Sequence, residues 1–190
     1  MKYEIVNGVY KGPEHFEGYL NLTRTPIKSL GNLKSVGGNL DLISSSIESL
    51  GNLVSVGGYL DISNTQVTSL GNLKSVGDTL WLQNTPIKDL GNLESVKDSL
   101  DLRNTQITSL GNLESVKGNL WLTNTPITSV GKLKTVGGYL HFLDDEKYTW
   151  KQYQELIKEF EQIPYEDYPL YLNDERTPIR ILVNQGLQSG

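Results

Sequence analysis

"LWLQNTPIKDLGNLESVKDS" (residues 80–99) and "LDLRNTQITSLGNLESVKGN" (residues 100–119) align with each other from end to end without a gap. The same frame runs from Leu20 to Tyr139 as six units of twenty residues, opening on "LNLTRT", "LDLISS", "LDISNT", "LWLQNT", "LDLRNT" and "LWLTNT". A fixed period of this length is the mark of a solenoid, in which each unit forms one coil and buries its apolar face only against its neighbours.

Within each unit, positions 1, 3, 8, 11, 14 and 17 are always aliphatic; in one unit they are Leu80, Leu82, Ile87, Leu90, Leu93 and Val96. Positions 1 and 3 are spaced as in a strand, so both point to one side. The other four recur at every third residue, a spacing that an α-helix does not sustain, and the stretch is rich in Gly and Asn. This return path predicts tight turns or short 3₁₀ pieces.

The polar constants fit such a coil. Position 6 is a hydroxyl residue in every unit (Thr25, Ser45, Thr65, Thr85, Thr105, Thr125), suited to bonding the backbone where the chain leaves the strand. Position 10 is Ser29, Ser49, Ser69, Asp89, Ser109 or Ser129, and serine and aspartate are interchangeable chiefly as caps. Position 12 is glycine from Gly31 to Gly131, which suggests a backbone angle that a side chain would forbid.

In "LWLQNTPI" and "LDLRNTQI" the chain resembles the leucine-rich repeat family, whose core runs leucine, any, leucine, two others, asparagine, any, leucine. Thr85 and Thr105 stand at the family's asparagine position, a departure from its pattern. The resemblance spans residues 20–139, at the short end of the family's unit length, similar to bacterial and phage-borne members. It implies a repeat solenoid with short parallel strands on a concave face and a convex side of turns or 3₁₀ pieces.

Both ends predict caps. "YEIVNGVYK" places Asn7-Gly8 between two β-prone runs, a two-residue hairpin signal, and in "FEGYLNL" Phe16 takes the place of Val36. Residues 1–19 are therefore expected to form a β-hairpin cap, and residues 20–143 six coils with a partial seventh. Residues 144–190 are expected to form an acidic helical cap. In it, Thr149 and Gln152 suit a capping box, and Trp150, Tyr153, Leu156, Ile157, Phe160 and Ile163 form a stripe ending at Pro164. A second short helix is expected between Thr177 and Gly186.

If the leucines at positions 1 and 3 face inward, position 2 faces outward. Down that column run Asn21, Asp41, Asp61, Trp81, Asp101, Trp121 and His141. Strands lie about 4.8 Å apart, so the two indoles stand about 10 Å from each other with Asp101 between them. Tyr59 and Tyr139 flank this column on one side and Arg103 on the other. Trp, Tyr and Arg dominate interface energetics, which points to a binding surface for another protein built from Trp81, Trp121, Asp61, Asp101, Tyr59, Arg103, Tyr139 and His141. The C-terminal segment folding back, or a second copy of the chain forming a homodimer, is the alternative cover for the same indoles.

Composition narrows the rest. The 190 residues are 37% hydrophobic and contain no cysteine, which excludes disulfides and cysteine-based zinc sites and fits a reducing setting. The formal net charge is -5, and residues 140–190 hold five basic and ten acidic side chains. A nearly neutral middle and an acidic end argue against nucleic acid as a partner. No apolar run approaches a membrane span, so a cytoplasmic protein is expected, in the host cytoplasm if phage-encoded.

No phosphate loop, dinucleotide glycine pattern or metalloprotease helix is present, and His15 and His141 are the only imidazoles. The Asp column lacks the further oxygen ligands of a metal site. The expectation is a non-enzymatic module without cofactor or metal. The alternative places function in the acidic segments "LDDEK", "YEDYP" and "NDER", as in an effector or inhibitor that engages a basic target surface.

Overall fold

The computed structural model describes residues 2–141, 155–156 and 158–160. In it the repeat winds into a β-solenoid with one twenty-residue unit per coil. Positions 1 and 2 form a seven-stranded parallel sheet from Leu20–Asn21 to Leu140–His141, called here the leucine sheet. Neighbouring strands pair strictly in register, Leu80 with Leu60 and Leu100, and Trp81 with Asp61 and Asp101. Between coils, the N–H of Leu80 donates to Ser99 O at 2.9 Å and that of Leu82 to Asp101 O at 2.9 Å.

The return path turns tightly at position 12, as expected, with Leu93 N–H donating to Leu90 O at 3.1 Å, but it also carries strand where only turns or 3₁₀ pieces were expected. Positions 16 and 17, such as Ser95–Val96, form a second seven-stranded parallel sheet, from His15–Phe16 to Thr135–Val136. No 3₁₀ turn occurs among the described residues. Two residues suffice to point valine inward and serine outward, and the adjacent coil repeats the pair at hydrogen-bonding distance.

Position 10 gives a third row of contacts, which is interrupted where position 7 is glutamine. Single parallel bridges join Val9 to Ser29, Ser29 to Ser49, Ser69 to Asp89 and Ser109 to Ser129. The two junctions without a bridge carry glutamine at position 7. There Gln66 N–H donates to Ile47 O at 3.2 Å and Gln106 N–H to Ile87 O at 3.0 Å, pairing the coils earlier in the turn. Pro86 and Pro126 have no N–H to give. Their coils pair instead through Lys88 N–H to Thr68 O (3.0 Å) and Thr128 N–H to Thr108 O (2.8 Å). The Trp81 and Trp121 coils are thus proline coils, as is the Asn21 coil with Pro26, and the Asp61 and Asp101 coils are the glutamine coils.

All six aliphatic columns are buried and form one continuous core. The turns between them close as their chemistry requires. Position 12 glycine has a positive φ in every unit, +57° at Gly91, and its N–H donates to the position 10 side chain, as Gly91 does to Asp89 Oδ1 at 2.8 Å. At position 6, Thr65, Thr85 and Thr105 donate their hydroxyls to the carbonyls of Ile62, Leu82 and Leu102 at 2.6–2.7 Å. Ser45 Oγ is buried with no hydrogen-bond partner. An inter-coil side-chain ladder lies one residue earlier, at position 5. Asn84, Asn104 and Asn124, each at positive φ, donate to the Asn of the preceding coil at 3.0, 2.8 and 2.6 Å.

At the front, β1 (Glu4–Val6) and β2 (Val9–Lys11) form the expected hairpin, with φ of 51° at Asn7 and 78° at Gly8. The cap is also a partial coil. Tyr10 occupies the place that Leu30 holds one coil later; it is fully buried, and its N–H donates to Ser29 O at 2.9 Å. Phe16 pairs with Val36 as the alignment predicts.

Of residues 142–190, the five described are helical. Leu156 and Phe160 join the core, and Glu159 Oε2 accepts the N–H of Val130 at 3.0 Å. The equivalent N–H of Leu110 goes to Ser129 O of the following coil, so this carboxylate ends the row where the repeat stops. The capping box at Thr149, the rest of the stripe and the second helix lie outside the described residues. No described helix is long and apolar enough to cross a membrane.

Thr105→Val keeps the shape of the side chain but leaves the Leu102 carbonyl without its hydroxyl donor. It should cost about 1 kcal/mol in urea unfolding. Ser45→Ala, which removes an unpartnered buried hydroxyl, should leave stability unchanged or raise it. Equal losses at the two positions would refute the assigned role of the hydroxyl.

Candidate recognition surface

The outward column of the leucine sheet holds two kinds of side chain with different local duties. Where position 2 is Asn or Asp, its side-chain oxygen accepts the N–H of position 4: Thr23 to Asn21, Ile43 to Asp41, Ser63 to Asp61 and Arg103 to Asp101, at 2.9–3.2 Å. This Asx turn holds the chain as it leaves the strand. An indole offers no such acceptor, so Trp81 and Trp121 stand where the scaffold favours a carboxylate.

Asp101 is the centre of the column. It lies in register between Trp81 and Trp121 and is 1% exposed. Its charge is met by Arg103, whose Nε lies 3.0 Å from both carboxylate oxygens and whose Nη2 lies 2.5 Å from Oδ2. A carboxylate stripped of water requires such a partner. The four residues form one unit, with two indoles shielding an ion pair supplied within a single coil.

The remaining aromatics gather at either end. Tyr59 meets Trp81 edge-on at 5.3 Å between ring centroids, with Tyr19 6.5 Å beyond Tyr59. On the far side His141 stacks on Trp121 at 5.5 Å, and Tyr139 meets His141 at 6.2 Å. Both indoles are half-buried by these neighbours rather than standing fully open.

All eight residues expected from the sequence therefore lie on one face, but their roles divide. Asp101 is buried beneath an exposed Arg103, whereas Trp81, Trp121, Tyr59, Tyr139, His141 and Asp61 remain partly accessible. Sequence reasoning passed over Tyr19, 51% exposed, and Asp41, which accepts from the Tyr19 hydroxyl at 3.4 Å. The signal was present, since Tyr19 occupies the column of Tyr59 and Tyr139.

Electrostatics distinguish the two ends. Burial pushes the Asp61 carboxyl above its ordinary value, against the pull of the Ser63 hydroxyl and N–H, and the charges of Asp41 and Asp101 add to the rise. Partial burial, the Tyr19 hydroxyl and the nearby carboxylates push Tyr59 up to about 12, so its hydroxyl stays protonated. Among the described residues no ion pair forms at Asp41 or Asp61, and no cluster of His, Asp and Glu is arranged to hold a metal. The acidic segments of the alternative reading fall outside the described residues.

Comparison with protein-family models, with characterised proteins and with solved structures gives no match for this chain. The twenty-residue β-solenoid is therefore the level at which the architecture is established.

A raised folded-state pKa means that the ionised Asp61 costs stability, an effect absent below the unfolded carboxylate value and present above the folded one. Asp61→Asn keeps the acceptor for Ser63 N–H, so it should unfold at a higher temperature than the parent at pH 7, and the difference should shrink toward zero as pH falls below 4. A lower melting temperature at pH 7 would contradict this. Arg103→Met should cost about 1–3 kcal/mol by leaving Asp101 without its partner. Adding Asp101→Asn should recover part of that loss in the same urea titration.

Proposed function

We propose that this chain is a non-enzymatic protein-recognition module that grips a partner through the outward face of the leucine sheet. The leucine spacing of its short repeat supports kinship with bacterial and phage-borne leucine-rich repeats. The observation that carries the proposal is the placement of Trp81 and Trp121 in a column that the fold otherwise fills with Asn and Asp. Each indole gives up an Asx turn and brings a large ring to a half-buried, solvent-reachable position. Neither ring replaces the turn-closing acceptor that it displaces. Rigid aromatic anchors around a neutralised ion pair are what an interface centre needs, because they bury area on contact at small entropic cost.

The test is a double variant. Trp81→Ala with Trp121→Ala should weaken binding to a partner isolated from the native host by more than about 2 kcal/mol in calorimetric titration, with little change in melting temperature. Unchanged affinity would remove the face from the interaction. A large fall in melting temperature would make the indoles part of the scaffold instead.

A further inference from the structure

Comparing one coil with the next narrows the chemistry of the partner. At Asp101, an aspartate at position 2 is flanked by aromatic rings and receives a guanidinium from Arg103, two residues on in the same coil. At Asp61 most of this arrangement recurs. Its strand neighbour is Trp81, Tyr59 adjoins that indole, and Ser63 at position 4 donates its N–H and hydroxyl at 2.9 and 2.6 Å. The difference is that Ser63 stands where the other coil has Arg103, so this coil supplies no cation of its own. On its other side Asp61 pairs in register with Asp41, one strand spacing away, which doubles the negative charge.

We propose that the corner formed by Asp41, Asp61, Tyr59 and Trp81 receives a lysine or arginine side chain of the partner protein. The inference rests on the reading of this face as a protein-binding surface and names what the bound segment must carry. A cation seated there lies between two carboxylates and within reach of the Tyr59 and Trp81 rings, where cation–π attraction adds to the charge pairing. It also relieves the repulsion between Asp41 and Asp61 and the cost of half-burying an unpaired carboxylate. Arginine suits the corner best, since its planar group stacks on a ring while bonding to a carboxylate, as Arg103 does internally with Asp101.

The probe is the blocked tripeptide acetyl-Arg-Arg-Arg-amide, with its citrulline counterpart as a neutral control of the same shape. The indole N–H resonance of Trp81, assigned by its loss in Trp81→Phe, is followed by nitrogen-edited NMR on the full chain. The arginine peptide should move this resonance saturably and the citrulline peptide should not. Asp61→Asn, which keeps its Ser63 bonds, should weaken the response about tenfold or more. The proposal is overturned if the Trp81 resonance stays still, if citrulline matches arginine, or if Asp61→Asn responds like the parent. Those outcomes would leave the double tryptophan experiment untouched, so loss of the cation site and loss of the recognition face are separable.

Discussion

Everything in this molecule depends on in-register stacking of coils that cannot close a core alone. Each twenty-residue unit contributes six aliphatic side chains to one continuous core, with Tyr10 at its front and Leu156 and Phe160 also buried in it. Because the register never slips, a choice made at one position of the unit becomes a column at strand spacing. The scaffold uses this for Thr hydroxyls, position 10 caps and an asparagine ladder. The outward face uses it to set two indoles on either side of a carboxylate.

The same constraint explains a forty-residue alternation within the twenty-residue period. Proline at position 7 accompanies Trp at position 2, and glutamine accompanies Asp, from the third unit to the sixth. Proline deprives its coil of one inter-coil donor, which glutamine keeps, and in these four units the position 10 bridge is found only at the proline coils. The scaffold and the face are thus patterned together, although nothing in the geometry links the indole to the proline directly.

Much of this was legible because it is local chemistry repeated. The aliphatic columns, the Ser and Asp caps over position 12 glycine, the Asn7-Gly8 hairpin and the alignment of Phe16 with Val36 each follow from the preference of a few adjacent residues. The second sheet was not, because two-residue strands such as Ser95–Val96 leave no alternation to read, and their three-residue spacing from the preceding leucine imitates a turn. The asparagine column at Asn84 and Asn104 went unread because its first two units carry Arg24 and Ser44 in place of asparagine, so the column is not constant along the repeat. On the face, the sequence placed the eight side chains together but not their division. That Arg103 folds back on Asp101 while Asp61 faces Ser63 depends on which coil carries which residue at position 4, a distinction that appears only when the coils are laid side by side.

The central claim is that consecutive units rise by one strand spacing, and the absence of cysteine from the chain makes it measurable with a pair of introduced labels. Nitroxides at Lys34 and Lys134, five coils apart on the exposed edge of the second sheet, should lie about 24 Å apart before allowance for the label arms. Moving the Lys134 label inward to Glu94, three coils from Lys34, should shorten the electron–electron distance by about 10 Å. A separation near 50 Å between the outer pair, the spacing expected of units stacked as helices about 10 Å apart, would contradict the coil and, with it, the face it presents.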